Sequence, residues 1–271
     1  MTSPDDPSPG FPGTRPSSFD EWVQALKEQL SFFTGLKLET GVPRWPLADV
    51  LPVLPVVGAC VGLASGLVFA LVRGISGPGW LAAALAVATS VLVTRALHED
   101  GMADSADGLG PHGLDVSRRL EIMRDSRNGT FGVLAITLDV LVRVACLAQF
   151  SGGTGFVILI ATHAMSRAVL SYPLLAFSPV RQDGLGVLAG KPTDTDVWLS
   201  IGIGAALSFV LLFGHGFLAS ILAPLGAMAA AWVAARWIAG VIGGYTGDTL
   251  GAVEQKAEIA FLIVAALFIA H

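Results

Sequence analysis

The chain has 271 residues, of which 53% are hydrophobic and only 14% charged, with a mean hydropathy of +0.68 and a formal charge of −5. An ordinary soluble domain carries roughly 25% charged residues, so the composition excludes a soluble globule and indicates an integral membrane protein with several spans. The 16 Lys and Arg residues are too scattered for a nucleic-acid surface, and Cys60 and Cys146, inside apolar runs, form neither a disulfide framework nor a zinc spacing.

Residues 1–17, rich in Pro, Ser, Gly and Asp, read as a disordered leader. They lack the basic start and apolar centre of a secretory signal. Residues 18–271 read as one integral-membrane domain. Ser18, with Glu21 three residues on, forms a capping box. Phe19, Trp22, Val23, Leu26, Leu30 and Phe33 recur at helical spacing, with Asp20, Glu21, Lys27 and Glu28 on the other face. This predicts an amphipathic helix that lies in the membrane interface or packs on the protein's own loops. Apolar runs at 50–72, 79–97, 131–150, 154–177, 196–213, 216–240 and 250–271 then predict an all-α polytopic fold of about seven spans, or six with 196–240 paired differently.

Lys and Arg are asymmetric across these runs. One side collects Arg15, Lys27, Lys37 and Arg44, the four arginines between 118 and 127, Arg181, Lys191 and Lys256, while the opposite loops carry only Arg73. The positive-inside rule places the N-terminus and the longer loops in the cytoplasm, with the bacterial cytoplasmic membrane as the expected location.

The acids are equally uneven. They concentrate between 98 and 130, in HEDGMADSADG at 98–108 and RLEIMRDSRNGTFG at 119–132. Asp100, Asp104 and Asp107, at i, i+4 and i+7, fall within about 60° on one helix face. Three such anions repel unless a cation lies between them, and hard divalent ions take carboxylate and phosphate oxygens. Arg118, Glu121, Asp125 and Asn128 repeat the pattern at i, i+3, i+7 and i+10, flanked by Arg124 and Arg127. Carboxylates for an ion beside guanidinium forks for phosphate oxygens suit a metal–pyrophosphate substrate. The bland alternative is a solvated loop held out of the bilayer by its charges.

GGYTGDTLG at 243–251 offers Asp248, either as a helix cap or as a further metal-site residue, followed by Glu254 and Glu258. DGLGVLAGK at 183–191 is a weak phosphate-loop signal ending in Lys191. Inside the spans, Asp139 and Arg143 are one turn apart, as are His163 and Arg167, and either set reads as a structural pair or as the wall of a polar cavity.

Taken together, these stretches resemble the cobalamin synthase family, whose activity is adenosylcobinamide-GDP ribazoletransferase. The resemblance rests on the 98–108 and 119–132 motifs, Ser166-Arg167, Gly184-Leu185-Gly186 with Gly190-Lys191, GYTGDTLG at 244–251, and Phe32-Phe33-Thr34. It runs from about residue 30 to 265. The chain departs from the family at Glu99, where an apolar residue is usual, and over Gly35–Leu38.

The resemblance implies that adenosylcobinamide-GDP reacts with α-ribazole or its 5′-phosphate, releasing GMP, with Mg²⁺ as cofactor. On that basis Asp100, Asp104, Asp107 and Asp125 are the expected metal ligands. His98, Asp104 and Glu121 are the expected catalytic residues. Arg118, Arg124, Ser126, Arg127, Asn128, Arg167, Lys191, Asp248 and Glu254 are the expected substrate contacts. Partners are these small molecules and the lipid bilayer, with room for a homo-oligomer or other corrinoid-pathway enzymes. Two rivals stand beside this reading. A CDP-alcohol-type membrane phosphotransferase also uses clustered aspartates, but its motif wants an arginine where Asp104 stands and continues differently. A transporter concentrates its polar residues near the bilayer midplane, and this chain concentrates them in loops.

Overall fold

In a bilayer the backbone finds no water to bond, so long apolar segments must satisfy their N–H and C=O groups as helices. The computed structural model describes residues 15–39, 41, 43–125, 127–181 and 183–269. Among these residues there are twelve α-helices and no strand: α1 Phe19–Phe33, α2 Leu54–Gly74, α3 Gly79–Thr94, α4 Leu97–Leu109, α5 Val116–Ile122, α6 Thr130–Leu147, α7 Gly152–Ala168, α8 Ser171–Ala176, α9 Leu185–Leu188, α10 Asp194–Leu212, α11 Phe217–Ile242 and α12 Gly247–Phe268. A 3-10 helix, Leu47–Val53, leads into α2.

Five segments are long and apolar enough to cross a membrane: Leu47–Gly74, Thr130–Leu147, Gly152–Ala176, Asp194–Leu212 and Phe217–Ile242. The expected span at 79–97 ends early. α3 stops at Thr94 and α4 leaves it at 90°, so the two together make at most one broken span. The bend is made by Arg95 and Ala96, both left-handed (φ 54° and 56°), a conformation that costs a non-glycine residue roughly 1–3 kcal/mol. Arg95 donates to the Thr34 carbonyl at 2.7 Å and so ties the end of α1 to the bend. α4 itself carries His98, Glu99, Asp100, Asp104 and Asp107 in 13 residues and is too short and polar to span. The 98–130 stretch expected as a loop is therefore largely helical. The last expected span is α12, whose 22 residues include Asp248, Glu254, Lys256 and Glu258.

α2 and α7 approach closely because Gly58 lies against the His163 carbonyl, where any Cβ would collide. Small residues serve membrane helix contacts in this way. α12 packs against α4, α6, α7 and α11 and forms the spine of the bundle. The Ser18–Glu21 capping box of α1 is present. Its Ala25 is buried with Trp45, Val50 and Val53, while Phe19 is 81% exposed, so one face of α1 packs on the protein's own chain. Positions 1–14 of the expected leader lie outside the described residues. Positions 15–17 are not a free tail: Arg15 pairs with Asp196 at the start of α10, and Ser17 bonds Glu21 at 2.7 Å.

Candidate active site

The three aspartates of α4 do not act alike. Asp100 is exposed and Asp104 half-buried. Asp107 is buried, and its two oxygens accept the N–H groups of Gly129 (2.7 Å) and Gly132 (2.9 Å). It thereby caps the N-terminus of α6, where an anion is favoured by the unpaired donors and the helix dipole. Asp107 thus has both carboxylate oxygens engaged by α6 amides, unlike Asp100 and Asp104.

A different partner faces Asp104. Gly101 lets α4 touch the first turn of α12: a Cβ there would lie 2.7 Å from the Asp248 carbonyl oxygen. The cap of α12 is Thr246, in a capping box with Thr249, so the capping role weighed for Asp248 falls to another residue. Asp248 instead bonds Arg181 at 3.0 Å. Arg181 arrives because Val180 N–H bonds the Tyr245 carbonyl (2.9 Å) and Tyr245 N–H bonds the Ser178 carbonyl (3.1 Å), which pins its loop to the start of α12. Its other terminal nitrogen donates to the Leu120 carbonyl of α5 at 3.2 Å.

The cluster is therefore Asp100, Asp104 and Asp248 against one arginine. Burial pushes the Asp104 carboxyl up to about 7, with Asp100, Asp248 and Asp107 adding to the rise and Arg181 opposing it. A half-buried acid crowded by three others is the arrangement a divalent cation relieves.

The second acid–arginine set does not share one helix face, and its helix α5 is tied to the cluster through the Arg181–Leu120 bond. α5 ends at Ile122 with Met123 as its C-cap, so Asp125 and Asn128 lie beyond it. Arg118 pairs with Glu121 at 2.6 Å, and Arg124 reaches Asp183 at 2.6 Å. Side-chain and backbone hydrogen bonds from Arg127 pull the Asp125 carboxyl down to about 2. All six are at least partly exposed, as are Asn128 and Lys191. Ser126 lies outside the described residues.

His98, Arg167 and Glu254, expected at the substrate, are buried in the bundle. Arg167 donates to Glu254 at 2.6 Å, Ser166 also donates to Glu254 at 2.6 Å, and His98 Nδ1 lies 3.4 Å from Arg167. Arg143 continues the network to Glu258 (3.0 Å), Glu99 (3.1 Å) and Asp139 (2.7 Å). His163, Glu254 and Glu258 place ligand-type atoms within 4.8 Å of one another, but the two arginines already offset those carboxylates. Arg167 and Glu254 thus hold each other, while His98 also reaches the wall of a cavity.

The sequence profile of the family described as cobalamin-5-phosphate synthase matches residues 25–266. The chain belongs to that family. The adenosylcobinamide-GDP ribazoletransferase of Bradyrhizobium diazoefficiens is 40% identical over 262 residues, 95% of this chain and 98% of that one. Its namesake in Sinorhizobium medicae is 38% identical over 229 residues, 82% and 87% of the two chains. The one in Azorhizobium caulinodans is 40% identical over 214, 78% and 81%. No solved structure matches. This member of the cobalamin-5-phosphate synthase family is accordingly a membrane-embedded transferase of cobalamin biosynthesis, acting at the last assembly stage.

Two side chains that shape the cluster in this synthase-family member were not singled out from its sequence. Arg181 carries no motif of its own and gains its place only through the Tyr245 backbone pairing. Arg119 donates to the Gly108 and Leu109 carbonyls at 2.9 and 3.0 Å and so closes the C-terminus of α4. Its position inside the 119–132 motif was the available signal.

Proposed function

We propose that the chain transfers the adenosylcobinamide phosphate of adenosylcobinamide-GDP to α-ribazole, or to α-ribazole 5′-phosphate, and releases GMP. The observation that supports this most directly is the meeting of Asp104 on α4 with Asp248 on α12, edged by Arg181, in a chain of this family. The donors are carboxylate oxygens only, which suit Mg²⁺ better than a soft metal. Asp100, Asp104 and Asp248 would hold the ion. When bound, it supplies neutralising charge for the pyrophosphate and for the departing GMP.

The chain's residues then divide the remaining work. A ribose hydroxyl oxygen of the acceptor bonds to the cobinamide-linked phosphorus as the bond from that phosphorus to the GMP oxygen breaks. A carboxylate of the α4 face takes the hydroxyl proton. Arg124 and Arg127, now paired with exposed Asp183 and Asp125, exchange those partners for phosphate oxygens, with the bidentate geometry guanidinium allows. Glu121 orients Arg118 from the same rim. The site opens to the cytoplasm in this reading, and the protein resides in the bacterial cytoplasmic membrane, consistent with the asymmetry of Lys and Arg.

The test is GMP release and corrinoid product by purified protein in lipid, with both substrates and Mg²⁺, with and without EDTA. Metal-dependent formation of both products is expected. Intact substrates in the presence of folded protein and metal would overturn the reading and direct the search to a CDP-alcohol reaction.

A further inference from the structure

Among the described residues, Arg181 is the one basic side chain bonded to the aspartate cluster. It engages a single oxygen, Oδ2 of Asp248, and the Thr246 hydroxyl donates to that same oxygen at 3.3 Å. Oδ1 of Asp248 accepts no hydrogen bond among the described residues, and neither do the carboxylates of Asp100 and Asp104. One edge of Asp248 is thus taken and the other is left for a ligand role. The side chains of Arg181 and Asp248 are only 16% and 26% exposed, so the pair is not screened as an open surface pair would be.

The charge balance gives this arginine a second effect. Asp100, Asp104 and Asp248 against one guanidinium leave the cluster at −2 when all are ionised, and without Arg181 it would stand at −3. Even at the dielectric of water, a unit cation one carboxylate's width from a divalent ion opposes it by about tenfold. A pyrophosphate reverses that balance, since it brings its own negative charge and oxygen ligands. Mg²⁺ is commonly held in this way, by one or two carboxylates together with substrate phosphates. The other terminal nitrogen of Arg181 is fixed on the Leu120 carbonyl. Leu120 lies in α5, and the chain runs on from there to Arg124 and Arg127. One guanidinium therefore joins an ion-ligand carboxylate to the segment assigned to the phosphate oxygens.

We propose that Arg181 is a built-in counter-ion of the cluster: it keeps the affinity of the substrate-free protein for Mg²⁺ low, so that the ion is held tightly only together with the pyrophosphate, and it ties α5 to the ion's ligands. The assignment rests on the reading of Asp100, Asp104 and Asp248 as ion ligands given above. Arg181 is a positioning residue in this scheme, because it touches a ligand's carboxylate and not the reacting atoms.

The experiment titrates full-length protein in phosphatidylcholine nanodiscs with Mn²⁺, without substrates, and counts bound ion by electron paramagnetic resonance. Asp104→Asn gives the background from other sites. Arg181→Met, which removes the charge, is expected to bind Mn²⁺ about tenfold more tightly than the wild type. Should that variant not fold, Arg181→Gln, equally uncharged, carries the same expectation. Arg181→Lys keeps the charge and should bind Mn²⁺ as the wild type does. Its single ammonium lacks the fork that spans Asp248 and the Leu120 carbonyl, so its KM for adenosylcobinamide-GDP should rise about tenfold while the acceptor KM stays unchanged. An arginine that merely braced the fold would give the opposite sign, with weaker Mn²⁺ binding once it is lost. Equal or weaker binding in the uncharged variant would overturn the counter-ion role, and an unmoved donor KM in Arg181→Lys would overturn the tie to α5. A wild type that forms product but binds no Mn²⁺ above the Asp104→Asn background, with Arg181→Met no different, would also overturn the counter-ion role and leave the reaction standing. Failure of the reaction itself is read separately, as absence of GMP from folded wild type with metal and both substrates, because the titration needs no turnover.

Discussion

The Asp248 carbonyl oxygen occupies the space that a side chain at Gly101 would need, at 2.7 Å from an ideal Cβ. The two helices that carry the aspartate cluster therefore meet backbone to backbone, and the spacing of Asp104 from Asp248 is set by the absence of one methyl group. Gly101→Ala should fold, since alanine favours the helix, but the α12 turn must move aside. Displacements near 1 Å can cost about 10²-fold in rate. A fall of about that size in kcat, with the thermal unfolding midpoint little changed, is the expected result. Near-normal turnover would show that the contact does not set the site.

The two inner aspartates of α4 should separate cleanly on mutation. Asp104→Asn removes a charge from the cluster, and activity is expected to fall by orders of magnitude in a folded protein. Asp107→Asn keeps one acceptor for the α6 amides but turns an amide group toward the other N–H. Its expected signature is a loss of about 1 kcal/mol in stability with a much smaller change in turnover. The reverse pattern would exchange their roles.

Stability should depend on pH and Mg²⁺ together. The Asp104 carboxyl is raised to about 7, whereas an unfolded aspartate titrates near about 3.9. Between those values the folded state binds more protons, so raising the pH through this window lowers stability. An ion held by the cluster offsets the repulsion once Asp104 is ionised. Mg²⁺ should therefore raise the unfolding midpoint more at about pH 8 than at about pH 6, and Asp104→Asn should remove most of that difference. A Mg²⁺ effect of the same size at both pH values in the wild type would exclude Asp104 from the ion's ligands.

Arg143 is 1% exposed and is surrounded by Glu258, Glu99 and Asp139. Removing one member of a buried ionic set leaves the others uncompensated, at about 3–5 kcal/mol. Arg143→Met should lower stability in lipid by about that amount. Glu258→Gln, which keeps the shape and much of the hydrogen bonding, should cost less. Equal stability of Arg143→Met and wild type would mean that the carboxylates find other compensation.

Much of the architecture was legible because hydrophobic run length and helical spacing report backbone states directly. The capping box at Ser18, the pairing of Asp139 with Arg143 and the helix bearing Asp100, Asp104 and Asp107 all follow from local spacing. The 90° break at Arg95–Ala96 does not, because no glycine or proline marks it and its strain is held by tertiary contacts such as the Arg95–Thr34 bond. The site was legible in its residue types more than in its pairings. Asp107 belongs to α6 through hydrogen bonds 22 and 25 residues away, and Arg181 reaches Asp248 from 67 residues away. Helical periodicity is blind to both. The run from Arg118 to Asn128 misled for a simpler reason: a period that would suit a helix persists after α5 has ended at Ile122.

The ionic set at the centre of the bundle also bears on how the protein is made. A carboxylate at the middle of a span raises the free energy of its insertion by about 2.5–3.5 kcal/mol on biological scales, and α12 brings both Glu254 and Glu258. Its natural counter-charges sit on α6 and α7, more than a hundred residues and some ninety residues earlier in the chain, respectively. The C-terminal helix is thus a poor independent passenger for the insertion machinery. It enters the membrane as the last strut of a scaffold already waiting for it, and a ribosome that stopped short of it would leave Arg167 without Glu254 and Arg143 without one of its three carboxylates.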